Sequence, residues 1–298
     1  MRIAVCVTRV VDPTEAMPFP VGPAALSGEP LRRCLNTADR SALEQALRIK
    51  DRLPGTTVTV MSLGPPDCEP LLRECLAAGA DEAVLLWDSA FEGGDTLATA
   101  RVLSRAAEQL HADLVLCGRL ATDGATGQTP LQIGELMGLP AVSGVVHVEL
   151  LDGASILLVH RKLDRGCRAV IRCPLPAVLA LEPATGPLRY PRLRDRFQAW
   201  RAPIERWGCQ RLGLGPEEVG ERGSCVQVIE VGPAKPDMRD LFVPDSDLSG
   251  MERWQAVVSG GLAAPAGPSD ERRSPLIEGP PEVGAERLLS FLVEEGFV

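Results

Sequence analysis

Short, mainly apolar runs alternate along the first half of the chain with longer stretches in which apolar residues return every three or four positions. The runs at 2–7 (RIAVCV), 57–63 (TVTVMSL), 83–87 (AVLLW) and 113–117 (DLVLC) lack the in-out alternation of a half-exposed strand. They predict strands buried on both faces. Between them, Ala42, Leu43, Ala46, Leu47, Ile49 and Leu53 lay one apolar stripe along 39–53, the mark of a helix against a core. A second helix is expected over 69–78, closed by Gly79, and a third from a cap at Asp95 or Thr96 to His111. A fourth ends at 138–140, Gly-Leu-Pro. Buried strands separated by amphipathic helices predict an α/β fold, a doubly wound and mainly parallel sheet with helices on both faces and right-handed crossovers.

From residue 143 the period changes. Segments 145–151, 155–163 and 167–173 read as antiparallel strands joined by turns at 151–154 and 164–166, an antiparallel hairpin addition to the sheet. Residues 176–182 (PAVLALE) read as one more buried strand. Beyond Pro183 the composition shifts to proline, arginine and glycine, and a short amphipathic helix is expected at 283–295. This divides the chain into an α/β domain over 1–183 and an extended C-terminal arm over 184–298.

The segment 113–132, DLVLCGRLATDGATGQTPLQ, carries the chemistry. A buried strand leaves the sheet at Gly118 and opens a helix through a glycine- and threonine-rich turn. Gly124 and Gly127 are expected to take positive φ, and Thr129 to cap the helix with Pro130 as its first residue. Free N–H groups at that helix start, beside the hydroxyls of Thr122, Thr126 and Thr129, suit a phosphate. Asp123 is read as tying its own turn, and Thr126 and Gln128 as donors to phosphate oxygens. Such turns also occur as plain connections. Ligands of this fold class sit outside the carboxyl ends of the strands, where residues 6–9, 62–64 and 118–128 converge.

The remaining composition narrows the choice. A formal net charge of −9 argues against a nucleic-acid or anionic-membrane partner. No apolar run reaches the roughly 18 residues of a membrane span, so no direct membrane insertion is expected. The opening residues lack a long apolar leader and read as a first strand. Nine cysteines without a CxxC pair fit a reducing cytoplasm. His111, His147 and His160 are scattered. No nucleophile–base pair, carboxylate dyad or metal cage is visible, so any chemistry belongs to a bound cofactor.

Taken in order, IAVCVTRVVDPTE, CLNTADRSALEQALRIK, VTVMSLGP, CLAAGADEAVLL, GDTLATARVL, CGRLATDGATGQTP, LRYPRL and RAPIE resemble the β subunit of electron transfer flavoproteins. The resemblance covers residues 1 to about 206 and resumes around 274–298. It implies a heterodimer with an α subunit, passing electrons between dehydrogenases and acceptors. It further implies an adenine nucleotide in this chain, either FAD or AMP, the latter with FAD in the α partner. The family's nucleotide contacts carry onto Cys6, Asn36, Thr37, Ala38, Asp39 and Leu63. They also carry onto Ala121, Thr122, Asp123, Gly124, Ala125, Thr126, Gly127, Gln128, Thr129, Pro130, Leu131 and Gln132. Residues 11–15 and 36–43 resemble the branch whose β subunit carries its own FAD and splits electron pairs from NADH. The resemblance also places a partner-recognition loop near Leu193, among Arg189, Arg192, Arg194, Arg196 and Arg201, with an acyl-CoA-type dehydrogenase or another redox protein as the partner.

The sequence departs from the family pattern in three places. Asn36 is followed by Thr37 rather than proline. Residues 129–131 replace the usual valine and glycine. Residues 207–273 are long and proline-rich, and no role is assigned to them. A stand-alone adenine-nucleotide module of the stress-protein type shares the architecture, but has no use for so long an arm. An ATP-dependent pyrophosphatase would need carboxylates for Mg²⁺ in the glycine turn.

Overall fold

The computed structural model describes residues 1–12, 14, 32–151, 155–183, 187–226, 247–258, 285, 289, 290 and 293. Two compact units are present, residues 1–233 and 234–298. The first contains β1 (Arg2–Cys6), β2 (Arg9–Val11), β3 (Arg33–Leu35), α1 (Thr37–Arg52), β4 (Thr57–Leu63), α2 (Glu69–Ala78), β5 (Glu82–Leu86) and α3 (Thr96–Gln109). It continues through β6 (Leu114–Gly118), α4 (Thr129–Met137), β7 (Ala141–Leu150), β8 (Ile156–Lys162), β9 (Arg168–Pro174), β10 (Ala177–Leu181), α5 (Leu193–Arg201), β11 (Glu205–Trp207) and α6 (Cys209–Leu212). In the second unit α7 (Gly250–Val258) is described. Ser249 and Glu252 cap it reciprocally, the Ser249 N–H donating to Glu252 Oε2 over 2.8 Å.

The main sheet has the order β11-β5-β4-β1-β6-β10-β7-β8-β9. All pairs from β11 to β7 are parallel, while β7-β8-β9 are antiparallel. This is the α/β sheet with an antiparallel addition that the patterning predicts. Successive strand residues face opposite sides, so each buried strand feeds two apolar layers. Ile3 and Val5 pack with Leu43, Leu47 and Leu72 of α1 and α2. Ala4 and Cys6 pack with Leu103 and Ala106 of α3 and Ile133 of α4.

Four features differ from the sequence expectation. The first helix starts at Thr37, two residues early, with Asn36 at its cap. β7 is longer than expected: its first half pairs with β10 and its second half with β8. β2 and β3 form a separate antiparallel ribbon that short segments without alternation did not announce. Residues 187–226 belong to the first unit; β11 extends the main sheet beside β5, and α5 packs on the α2 side, burying Ala199. The turn 152–154, most of 13–31 and most of the expected helix at 283–295 lie outside the described residues.

Candidate functional site

The chain runs from β1 through β4 to β5 on one side, then returns to place β6 on the other side of β1. That reversal opens a crevice beyond the carboxyl ends of β1 and β6, and there the described residues enclose a cavity of about 200 Å³. Cys6 and Cys117, ending adjacent strands, stand in its wall.

Asp39 pins the two strand exits together. Its carboxylate accepts from the Thr8 N–H over 2.8 Å and from the Gly118 N–H over 2.9 Å. Burial pushes its pKa up to about 7, against these hydrogen bonds, which pull it down. Gly118 makes the arrangement possible. A Cβ there would lie 2.7 Å from Ala38 Cβ and 2.8 Å from the Asp39 nitrogen, closer than packed atoms tolerate.

The turn after β6 is held from within. The Ala125 N–H donates to the Ala121 carbonyl over 2.9 Å, and the Gly124 N–H to Asp123 Oδ1 over 2.7 Å. Asp123 therefore ties its own turn, as expected. Positive φ falls on Ala125 (+47°) and Gly127 (+65°) rather than on Gly124. The sequence expectation for Gly124 is corrected: its φ is not positive, and a Cβ there would meet only open space. The expectation for Thr129 is corrected too. α4 begins at Thr129 itself, with Gln128 at the cap position and no side-chain cap. Pro130 is thus the second helical residue, where its missing N–H is again harmless.

Ten sequence-selected residues gather in the wall: Cys6, Asn36, Asp39, Ala121, Gly124, Ala125, Thr126, Gly127, Thr129 and Pro130. Thr37, Ala38, Leu63, Thr122, Asp123, Gln128, Leu131 and Gln132 do not line it. Thr37 borders a different depression with Arg40, and Leu63 packs on an apolar layer. Gln128 Oε1 accepts from the Thr96 hydroxyl over 3.1 Å, and Thr96 Oγ1 accepts from Gln132 Nε2 over 3.3 Å. These two glutamines brace α4 against α3. Thr8, Thr96, Thr99, Leu103 and Arg119 also line the cavity and were missed. The i,i+3 spacing of Thr96 and Thr99 at a helix start was the available signal.

One atom bears on what fits. Asn36 Nδ2 donates to the Leu120 carbonyl over 2.9 Å, while its Oδ1 is buried without a hydrogen-bond partner. An unpaired buried acceptor costs about 1–3 kcal/mol. In the wall of this cavity it suits a ligand donor, such as an exocyclic amine or a ribose hydroxyl.

Leu193 opens α5 and is 71% exposed, with Phe197 and Trp200 at 64% and 73% along the same helical face, and Tyr190, just before the helix, at 84%. Arg73 anchors the end of α5 by donating to the carbonyls of Ala199 and Trp200 over 2.8 and 2.6 Å. Arg189 is committed to Glu44 and Asp51, so it is not part of a free basic cluster.

The electron transfer flavoprotein domain matches residues 29–207. The chain is 41% identical over 230 residues to the caffeyl-CoA reductase-Etf complex subunit CarD of Acetobacterium woodii, covering 76% of this chain and 86% of that one. It is 39% identical over 230 residues to the electron transfer flavoprotein subunit beta of Thermoanaerobacterium thermosaccharolyticum, covering 77% and 86%. This chain belongs to the electron transfer flavoprotein β-subunit family. The γ electron transfer subunit of acryloyl-CoA reductase from Anaerotignum propionicum is also similar, at 34% over 209 residues, covering 68% and 76%. Electron transfer flavoprotein membership makes this an electron-transfer subunit and implies an α-subunit partner. No helix among the described residues is long and apolar enough to cross a membrane.

Proposed function

We propose that the chain is the β subunit of a heterodimeric electron transfer flavoprotein that holds the adenylate end of FAD in the crevice between β1 and β6. The carrying observation is the unpartnered, buried Asn36 Oδ1 in the wall of a cavity at the strand-order reversal. Asn36 and the backbone of the 121–127 turn hold the nucleoside, and Thr126 and Thr129 offer hydroxyls to its phosphate. The cavity is smaller than the roughly 300–1,000 Å³ of pockets that enclose a drug-sized ligand, so it takes one end of a dinucleotide and leaves the rest outside.

When bound, the flavin supplies the one- and two-electron chemistry. The chain's own residues bind, orient and exclude water: Leu103, Cys6 and Cys117 give the cavity an apolar side, and Asp39 fixes its two strand exits. Leu193 and its exposed aromatic neighbours form the docking face for a redox partner of the acyl-CoA reductase or dehydrogenase class, CoA-ester reductases being named in two similar proteins. The localisation that suits nine unpaired thiols is the cytoplasm.

The experiment is co-expression with the α subunit, followed by quantitation of flavin and AMP per heterodimer. Two FAD and no AMP are expected. One FAD with one AMP would show that this subunit holds AMP and that the flavin resides in α.

A further inference from the structure

Cys6 closes β1, and Cys117 stands one residue before the end of β6. The register pairs Ile3 with Leu114, Ala4 with Val115 and Val5 with Leu116, which sets Cys6 beside Cys117. Both cysteines belong to the same apolar layer as Ala4 and Val115, so their thiols lie on one side of the sheet. Paired strands run about 4.8 Å apart, within the roughly 4.4–6.8 Å that Cα atoms span across a disulfide. Both thiols are free. Of the nine cysteines, only these two line the crevice.

The cavity of about 200 Å³ brings small solutes to this pair. A peroxide molecule needs little more than the roughly 30 Å³ share of one water. Reduced flavins pass electrons to dioxygen and release hydrogen peroxide, so electron transfer by a flavin generates the oxidant in place. We propose that Cys6 and Cys117 are a peroxide-oxidised dithiol, open to modification when the crevice is empty and shielded when it holds a nucleotide. The shielding rests on the nucleotide reading above; the dithiol does not.

The chemistry balances in two steps. The Cys6 sulfur attacks one peroxide oxygen, the O–O bond breaks, and the thiol proton leaves with the departing hydroxide as water. The Cys117 sulfur then attacks the Cys6 sulfenic acid, the S–O bond breaks, and a second water carries away the Cys117 proton. The adjoining Cys6 thiol, burial and Asp39 together push the Cys117 thiol well above the ordinary thiol value. Cys117 is therefore the resolving partner and not the first nucleophile.

The test uses the full chain co-expressed with its α subunit, as isolated, stripped of nucleotide by concentrated bromide, and stripped then resupplied with AMP. Each sample is treated with hydrogen peroxide, alkylated and cut with trypsin, and AMP binding is measured alongside by equilibrium dialysis. Cleavage at arginine places the two cysteines in peptides 3–9 and 106–119. The stripped complex is expected to yield these as one linked species, two hydrogens lighter than their sum and separated again by dithiothreitol. With AMP at about ten times its dissociation constant, linking should slow about tenfold, in step with the empty fraction. Modification confined to the exposed Cys167 and Cys225 would overturn the dithiol. An unchanged rate with AMP bound would overturn the proposal and spare the nucleotide reading. Linking without any AMP binding would sink the nucleotide reading and support the dithiol. Cys117→Ala should leave Cys6 as a sulfenic acid trapped by dimedone, and no adduct there would overturn the order of steps. The wild-type comparisons do not depend on how that variant folds.

Discussion

Asp39 is the residue on which the site turns, because one buried carboxylate accepts from the exits of two neighbouring strands. Its pKa rises from 3.8 to about 7 through burial. The folded chain therefore holds this proton more tightly than the unfolded one. The associated stability is present in full below about pH 4 and is lost as pH rises through 7. The nucleotide-free complex is expected to lose thermal stability between about pH 4 and 7, and Asp39→Asn should flatten that part of the profile. A wild-type profile without this slope would show that Asp39 is ionised throughout. Asp39→Asn should also cost about 1–3 kcal/mol at low pH, because the amide leaves one of the two N–H donors without an acceptor. Gly118→Ala attacks the same contact from the other side. Its methyl would meet Ala38 and the Asp39 backbone, so a loss of about 1–3 kcal/mol from overpacking is expected, with weaker nucleotide retention, read by denaturant unfolding and cofactor content. Ala125→Gly, by contrast, relieves a left-handed alanine and should not destabilise the turn.

Among the elements, α5 combines firm anchoring with an unburied apolar face. Arg73 fixes its carboxyl end and Arg189, just before it, pairs with Glu44, while Leu193, Phe197 and Trp200 stay exposed. A rigid helix that presents three large apolar side chains is built for contact rather than for folding. Leu193→Ala is expected to slow electron delivery to the partner several-fold, with flavin content and melting temperature unchanged. Trp200→Ala should do the same, with a small stability loss because Arg73 lies over its ring at 5.7 Å. Loss of bound flavin in either variant would show that α5 supports the nucleotide site instead. The helix was legible only in part. A run of arginines with one apolar residue every three or four positions looks like a solvated arm until Ala199 is seen buried in the core.

At the scale of the whole molecule, the first unit extends well past the α/β domain that composition outlines, because β11 adds a parallel strand beside β5 and Leu212, Leu214 and Val219 join an apolar layer. A chain truncated after residue 233 is expected to keep its nucleotide and its melting temperature with the α subunit, whereas truncation after 183 should aggregate, measured by size exclusion and cofactor content. Local patterning was enough to determine the buried strands, the amphipathic helices and the glycine- and threonine-rich turn, because burial on two faces or on one stripe leaves a periodic trace. That a ligand would sit beyond the carboxyl ends of the strands followed from the fold class, whereas the order of strands, and so the place of the crevice, was decided by the tertiary structure. Tertiary structure alone decided which residues meet there. Asp39 reaches Thr8 and Gly118 across 31 and 79 positions, Gln128 and Gln132 turn away to Thr96, and Arg119 from the exit of β6 meets the end of β8 at one depression. No periodicity encodes such contacts, since they depend on how separate elements stack and not on the residues beside them in the chain.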